Sequence, residues 1–354
     1  MFSFFSQWYK KKFSDPQAVT LVVILLIAFI AVYFLSGLLM PILVAIAIAF
    51  LLDLPVNRLS HLGLSRKWSS VIVVCLFVGI TLVTMLGLMP IIWRQSSNLL
   101  QEVPAMLAHG QEYLLTLPER YPEFIKADQI ESVLTLTKEK FIDWGQLILQ
   151  ASLNSISDVV ALMIYLILVP IMVFFFLKDK QELFASFMSF FPKERRMASQ
   201  VGDEMNLQIM NYIRGKVIEI IIIGAVSTIT FTILGLNYSL LLGVLVGLSV
   251  LVPYVGATLV TFPVMVVALF QWGVTTDFGY VMIAYAIIQA LDGNLLVPLL
   301  FSEAVNLHPV TIIIAVIIFG GMWGFWGVFF AIPLATLVKA VLNAWPSAEF
   351  ATPQ

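Results

Sequence analysis

From Ala18 to Leu35 the sequence runs without a charged residue, and apolar stretches of the same character recur along all 354 residues. A bilayer core about 30 Å thick needs about 20 apolar residues in a helix to cross it. Hydrocarbon offers no partner to a backbone N–H or C=O, so a chain of such stretches must satisfy its backbone within helices. Sixty per cent hydrophobic residues, 11% charged residues and a mean hydropathy of +0.99 agree with a polytopic membrane protein and exclude a soluble globule.

The first run follows Lys10, Lys11 and Lys12, is longer than a signal-peptide core and lacks a small-residue cleavage site. It reads as a retained span. Leu38–Leu52 follows almost at once and forms a helical hairpin with it, with Asp53 beside Pro55 as an interfacial stop. A basic return loop carries Arg58, Arg66 and Lys67, and Val71–Ile92 crosses outward. Residues 1–92 thus make three spans. The single cysteine, Cys75, excludes an intramolecular disulfide and reads as a small buried hydrophobe.

Residues 93–150 form an outer, periplasmic excursion. From Arg94 to Gln150 there are eight acidic and five basic residues, and apolar positions recur at helical spacing: Leu99, Leu100, Val103, Met106 and Leu107; then Ile130, Val133 and Leu134; then Phe141, Trp144, Leu147 and Ile148. The spacing predicts two to four amphipathic helices, either on the outer surface, against a neighbouring subunit, or as a solvated cap.

Residues 151–177 return as a fourth span, kinked by Pro170, to a basic connector over 178–216. Fourteen of the 19 Lys and Arg residues then lie inside, which puts both termini in the cytoplasm by the positive-inside rule. Acidic residues interleave with the basic ones, and the net charge is −2, so no nucleic-acid partner is expected. No ligand cluster for a metal is present and no cofactor is implied. Residues 346–354 read as a disordered tail.

The remaining chain, 217–345, reads as a transport core. Ile218–Leu234 is a span, with Glu219 one turn inside its cytoplasmic boundary, where it would pair with Lys216 or reach out to water. Tyr238–Gln271 is apolar but broken by Pro253-Tyr254-Val255-Gly256-Ala257. Each arm has about fifteen residues, or ~22 Å of helix, short of a ~30 Å core. A re-entrant hairpin over 238–271 fits better than two crossings, with Pro253, Gly256 and Ala257 at its tip. The pattern repeats over 308–343: Asn237 precedes Gly256 by nineteen positions, with Pro263 beyond, and His308 precedes Gly327 by nineteen, with Pro333 beyond. Gly320, Gly321, Gly324 and Gly327 would form the second tip, with Trp323 and Trp326 between them. The single span 278–300 separates the copies and so gives them opposite orientation, as in many secondary transporters.

That middle span holds Asp292-Gly293-Asn294. A charge at the bilayer centre costs roughly 2.5–3.5 kcal/mol on insertion scales and marks a functional-site hypothesis. Pro298 supplies no N–H to the carbonyl of Asn294, and Gly293 weakens the helix before it. Gln289 and Asp292 share a helix face, and unwinding at Gly293 would bring Asn294 to them. One reading gives Asp292 an ion- or proton-coupling role, with Gln289 and Asn294 bonding solute. The other makes Asp292 a cap on an interrupted helix. Arg214 and Gly215 are placed as a hinge to the connector, and His308 before Pro309 as a helix cap.

No H-E-x-x-H, G-x-S-x-G or P-loop pattern is present, and Asp292 lacks the second aspartate of a membrane aspartyl protease, so no enzyme is expected. The competing non-enzymatic reading is a membrane scaffold that moves no solute.

The runs Tyr212-Ile213-Arg214-Gly215-Lys216, Gly235-Leu236-Asn237-Tyr238-Ser239-Leu240-Leu241, Val252-Pro253-Tyr254-Val255-Gly256-Ala257, Leu291-Asp292-Gly293-Asn294-Leu295-Leu296-Val297-Pro298 and Leu307-His308-Pro309 resemble the autoinducer-2 exporter (AI-2E) family, as does the ending from Gly320 to Pro333. Trp8-Tyr9, the basic run and Phe13-Ser14-Asp15-Pro16 look like its PerM branch of permeases. The resemblance spans nearly the whole chain and is loose in the outer excursion. It implies a homo-oligomer, a pentamer by family association, in the inner membrane of a Gram-negative bacterium. It also implies export of a small hydrophilic signal in some members and sodium/proton exchange in others, leaving the solute of this branch unassigned. The expectation is therefore an all-α polytopic membrane protein, four long N-terminal spans plus a core with two broken or re-entrant hairpins, acting as a permease for a small polar solute with coupling to Na+ or H+.

Overall fold

The computed structural model describes residues 16–120, 155–189, 196–253, 255–301 and 307–344. The N-terminal motif before Pro16, the two later amphipathic pieces of the excursion, Tyr254 and the tail 346–354 lie outside the described residues. Among the described residues every regular element is helical. These are α1 (Pro16–Phe34), α2 (Ser36–His61), α3 (Arg66–Arg120), α4 (Ser155–Lys178), α5 (Lys180–Ser189), α6 (Arg196–Ile233), α7 (Ser239–Ser249), α8 (Val255–Trp272) and α9 (Thr276–Leu291), then a π-helical turn (Asp292–Leu296), α10 (Val297–Phe301) and α11 (Pro309–Ala344). Six helices among the described residues are long and apolar enough to cross a membrane: α2, α3, α6, α8, the run from α9 through α10, and α11.

α2, α3 and α4 pack around Ala45, Val56, Val73, Val169, Val173 and Leu177. Asp53 locks one end of this bundle. It does not stop α2, which continues through Pro55 to His61. Its buried carboxylate accepts from Arg66 Nη2 at 3.2 Å, Lys180 Nζ at 3.0 Å and Asn57 Nδ2 at 3.2 Å, while Arg66 Nε donates to the Leu177 carbonyl at 2.8 Å. Two cations on one carboxylate, with the guanidinium also holding a helix-end carbonyl, make a network rather than an isolated pair. Cys75 differs from expectation: it lies on the exposed outer face of α3, the side a helix in lipid presents to acyl chains, where burial in protein is not needed to shelter an apolar residue.

α3 also departs from the sequence reading. The helix does not end near Ile92 but continues unbroken to Arg120, so the start of the excursion is an extension of the span. The reason is tertiary. Gln95 Oε1 accepts from the Leu241 N–H at 2.8 Å, filling an open donor in the first turn of α7, and Leu99 packs on the core of α6 to α9. Beside it Tyr238, in the turn before α7, is pushed up to about 12 by removal from water and by its hydrogen bond to Glu102. Gln271 closes the same turn, accepting from Asn237 N at 2.7 Å and donating to the Gly235 carbonyl at 2.7 Å.

α6 is the central strut. One stretch of it meets α1 and the end of α11 through Val201 and Met205, the next meets α2, α10 and α11 through Tyr212 and Ile213, and the last meets α7 and α9 through Ile223 and Phe231. α7 reaches it closely because its contact face is made of glycines: Gly247 lies on Gly224, and Gly243 on Thr228.

Residues 239–272 and 309–344 both fold back on themselves. In the first, Val246 of α7 and Val264 of α8 share one buried cluster. In the second, Gly324 takes φ 60° and ψ −134°, conformations that a side chain disfavours, and the two arms of α11 meet through Ala315, Ala331 and Ala335. The turns resemble one another in detail. Gly256 sits against the carbonyl of Ser249 at the end of the first arm, and Gly327 sits against the carbonyl of Phe319 in the same way; neither place has room for a Cβ. Gly256→Ala and Gly327→Ala are therefore expected to abolish a monodisperse peak in size-exclusion chromatography, whereas Gly293→Ala, which meets open space, should elute and melt as the parent does.

Candidate functional site

The segment from Gln289 to Phe301 is not unwound but widened. Val297 N–H donates to the carbonyl of Asp292, the i+5 bond of a π turn, and α10 resumes with Pro298 in its first turn. A wider turn absorbs Pro298, with its missing N–H, without ending the helix. This geometry separates the residues that unwinding would have gathered. Asn294 is exposed and its Nδ2 donates to the Ala290 carbonyl at 2.8 Å, so its amide serves the backbone of its own helix. Gly293 and Pro298 are exposed too.

Asp292 turns inward. It is 9% exposed, its Oδ1 is buried without a hydrogen-bond partner, and no side chain caps the start of the π turn. The capping explanation for this aspartate therefore finds no bond to rest on. Gln289, one turn earlier, also holds a buried, unpartnered Nε2. Tyr285, a further turn back and close enough to interact with Gln289, donates its hydroxyl to the Ala257 carbonyl at 2.8 Å and accepts from Thr261 Oγ1 at 3.1 Å. A line of polar groups thus runs along α9 from the first hairpin tip to Asp292.

Across from Asp292, α6 contributes what the sequence reading undervalued. Lys216 Nζ donates to Glu219 Oε2 at 2.7 Å, with side chains 5% and 2% exposed, so this pair is enclosed rather than reaching out to water. Lys216 lies within electrostatic reach of Asp292 as well, as does Glu219. The Phe301 ring sits 5.2 Å from Lys216 Nζ and 5.9 Å from the Tyr212 ring. Gly215 makes this approach feasible, because a Cβ there would come within 2.7 Å of Phe301. The signal available in the sequence was the i, i+3 spacing of Lys216 and Glu219 at the edge of an apolar run; Phe301 gave none.

Arg214, placed with Gly215 as a hinge, points to α2 and donates from Nη2 to the Phe50 carbonyl at 3.4 Å, while its Nε is buried without a partner. His308 starts α11, with Nδ1 accepting from Val310 N–H at 3.3 Å, which is a cap. At the second tip, Trp323 stacks on Phe319 and meets Phe29 of α1 edge-on, and Trp326 stacks on Phe330. Gly320 approaches the Val328 side chain, Gly321 meets open space, Pro333 is buried, and Pro253 and Ala257 are half-buried. A cavity of about 540 Å³ lies between α1, α2, α6 and α11, lined by Phe29, Met40, Ile213, Trp326 and Leu337 among others, every one apolar. Such a lining cannot satisfy a hydrophilic solute, so the large cavity and the polar site are different places. No cluster of His, Cys, Asp or Glu among the described residues could hold a metal ion.

The chain is an all-α polytopic membrane protein with an ionisable cluster between long apolar helices. Residues 22–347 match the family described as AI-2E family transporter, and the chain belongs to that family. It is 51% identical over 351 residues, 99% of each chain, to the "Putative permease PerM" of Escherichia coli strain K12. It is also 27% identical over 321 residues, 87% of this chain and 84% of the other, to the "Putative transport protein YueF" of Bacillus subtilis strain 168.

An unpartnered buried carboxylate lowers stability unless something binds it. Asp292→Asn, which keeps shape and removes charge, is expected to raise the melting temperature of purified protein by roughly 1–4 °C. A fall would mean that the carboxylate serves the fold.

Proposed function

We propose that this protein is a secondary transporter that moves a small hydrophilic solute across the bacterial inner membrane by alternating access, with Asp292 in its pathway. The observation that carries this reading is the buried Oδ1 of Asp292, unpartnered at a π turn between two glycine-tipped hairpins. Charges enclosed by membrane helices are costly and mark transport pathways, and π turns recur at functional sites. The hairpins tipped by Pro253 to Ala257 and Gly320 to Gly327 enter from opposite sides and shift against a scaffold of the four N-terminal spans. Both termini are cytoplasmic, and the protein works as a homo-oligomer. A quorum-sensing signal belongs to the solute class, in keeping with the family to which the chain belongs. A second reading, sodium/proton antiport at Asp292, is favoured by the closeness of Lys216 and Glu219 to that carboxylate.

In proteoliposomes under an imposed proton or sodium gradient, the purified protein should carry a furanone signal, a small polar metabolite or the cation itself. Asp292→Asn should slow that flux roughly tenfold or more, about 1.4 kcal/mol of barrier. Absence of any flux would leave the scaffold reading in its place. For topology, in a background lacking Cys75, an impermeant thiol reagent should label Gln101→Cys from outside and Asp203→Cys only from inside; the opposite pattern overturns the orientation.

A further inference from the structure

Lys216, Glu219 and Asp292 carry two negative charges and one positive when all are ionised. The described conformation places the ammonium on Glu219, at 2.7 Å, and leaves Asp292 Oδ1 buried without a hydrogen-bond partner from the protein. Among the described residues the groups around this cluster are few. α6 brings Lys216, Glu219 and Tyr212 and the π turn brings Asp292, with Gln289 and Tyr285 one and two turns behind it on α9; Arg214 is turned away to the Phe50 carbonyl. One ammonium cannot neutralise both carboxylates at once, and an ion left alone in a low-dielectric surround is strongly unfavourable.

The same ammonium is tied mechanically to the segment that bears Asp292. Phe301 ends α10, nine residues after Asp292, and its ring packs on Gly215 and lies near Lys216 Nζ. Any displacement of the π turn and α10 along α6 therefore moves the ring away from the ammonium while changing the distance to Asp292. Lysine suits such a role, because its flexible four-carbon stem carries a point charge that can be re-aimed without rebuilding a planar fork.

We propose that Lys216 is a shared counter-ion that exchanges partners, resting on Glu219 in the described conformation and crossing to Asp292 when the π turn and α10 shift along α6 or when Glu219 loses its charge. Lys216 and Glu219 are then positioning residues for the pathway. The inference rests on the transport reading for its purpose, but its charge exchange is tested without any solute.

The test is a set of melting temperatures on full-length protein purified in detergent. Asp292→Asn is made in the parent and in a Glu219→Gln background. In the parent it removes the surplus carboxylate and raises the melting temperature. In Glu219→Gln, Lys216 has crossed to Asp292, so the same change strands the ammonium and lowers the melting temperature by about 2 °C or more. Glu219→Asp, which keeps the first partner's charge, should restore the parental sign. A rise of equal size in the parent and in Glu219→Gln means that Lys216 never reaches Asp292, and the proposal falls. If Glu219→Gln does not purify, Lys216→Met is read instead: shared service predicts that Asp292→Asn rescues its melting temperature by more than it shifts the parent's, and an equal shift overturns it. Absent flux in proteoliposomes would refute the transport reading and leave the exchange standing; an unchanged sign refutes the exchange even where flux is found.

Discussion

Hydrocarbon leaves no free hydrogen-bonding partner, and several interruptions among the described helices answer that constraint with a specific substitute. The turn between α6 and α7 is closed from outside itself, by Gln271 on Asn237 and Gly235, and by Gln95 on Leu241. The break after Leu291 is closed from within, because a π turn lets Val297 bond Asp292's carbonyl while Asn294's amide takes the carbonyl of Ala290. His308 begins α11 with its own ring nitrogen on Val310. The second tip uses Gly324, whose backbone angles let one arm turn into the other. What the chain cannot obtain from water it obtains from side chains placed one turn or one helix away.

The features legible in the sequence are those fixed by local composition. Apolar length gave the helices, and the equal spacing from Asn237 to Gly256 and from His308 to Gly327 marked glycines that the structure places against the last carbonyls of their preceding arms. The cost of Asp292 in an apolar run marks it as a candidate site residue, and the structure buries it. Other features depend on partners far away in the chain. α3 runs past Ile92 because Gln95 and Leu99 find α7 and its core, 146 residues on in the case of Leu241. Asp53 reads as a span end only while Arg66 and Lys180 are unknown as its partners. Asn294 reaches Asp292 only if the chain unwinds at Gly293, and the π turn keeps the segment wound, so the two stay on different faces. Charge counting puts Lys216 at the end of the basic connector and leaves open whether Glu219 pairs with it or reaches water, whereas packing by Phe301 and Tyr212 encloses this lysine.

The enclosed charges and the apolar cavity divide the protein into two environments. Between α1, α2, α6 and the second hairpin there is room, but only for hydrocarbon. Around Asp292 there are unpaired polar atoms, but they are buried and close-packed. Under the proposed function a hydrophilic solute would meet the second environment, and only through a change of packing there. α6 is the element that faces both, and its contacts with α7 are backbone to backbone through Gly224, Gly243 and Gly247. Contacts of that kind have little side-chain slack to yield. Its contact with the Asp292 segment is of another kind, an aromatic ring over an ammonium with a glycine beneath. A ring can slide over a glycine at far lower cost than interlocked backbones can part. Movement is thus easier between α6 and α10 than between α6 and α7, and the charges of Lys216, Glu219 and Asp292 sit along the contact that can move.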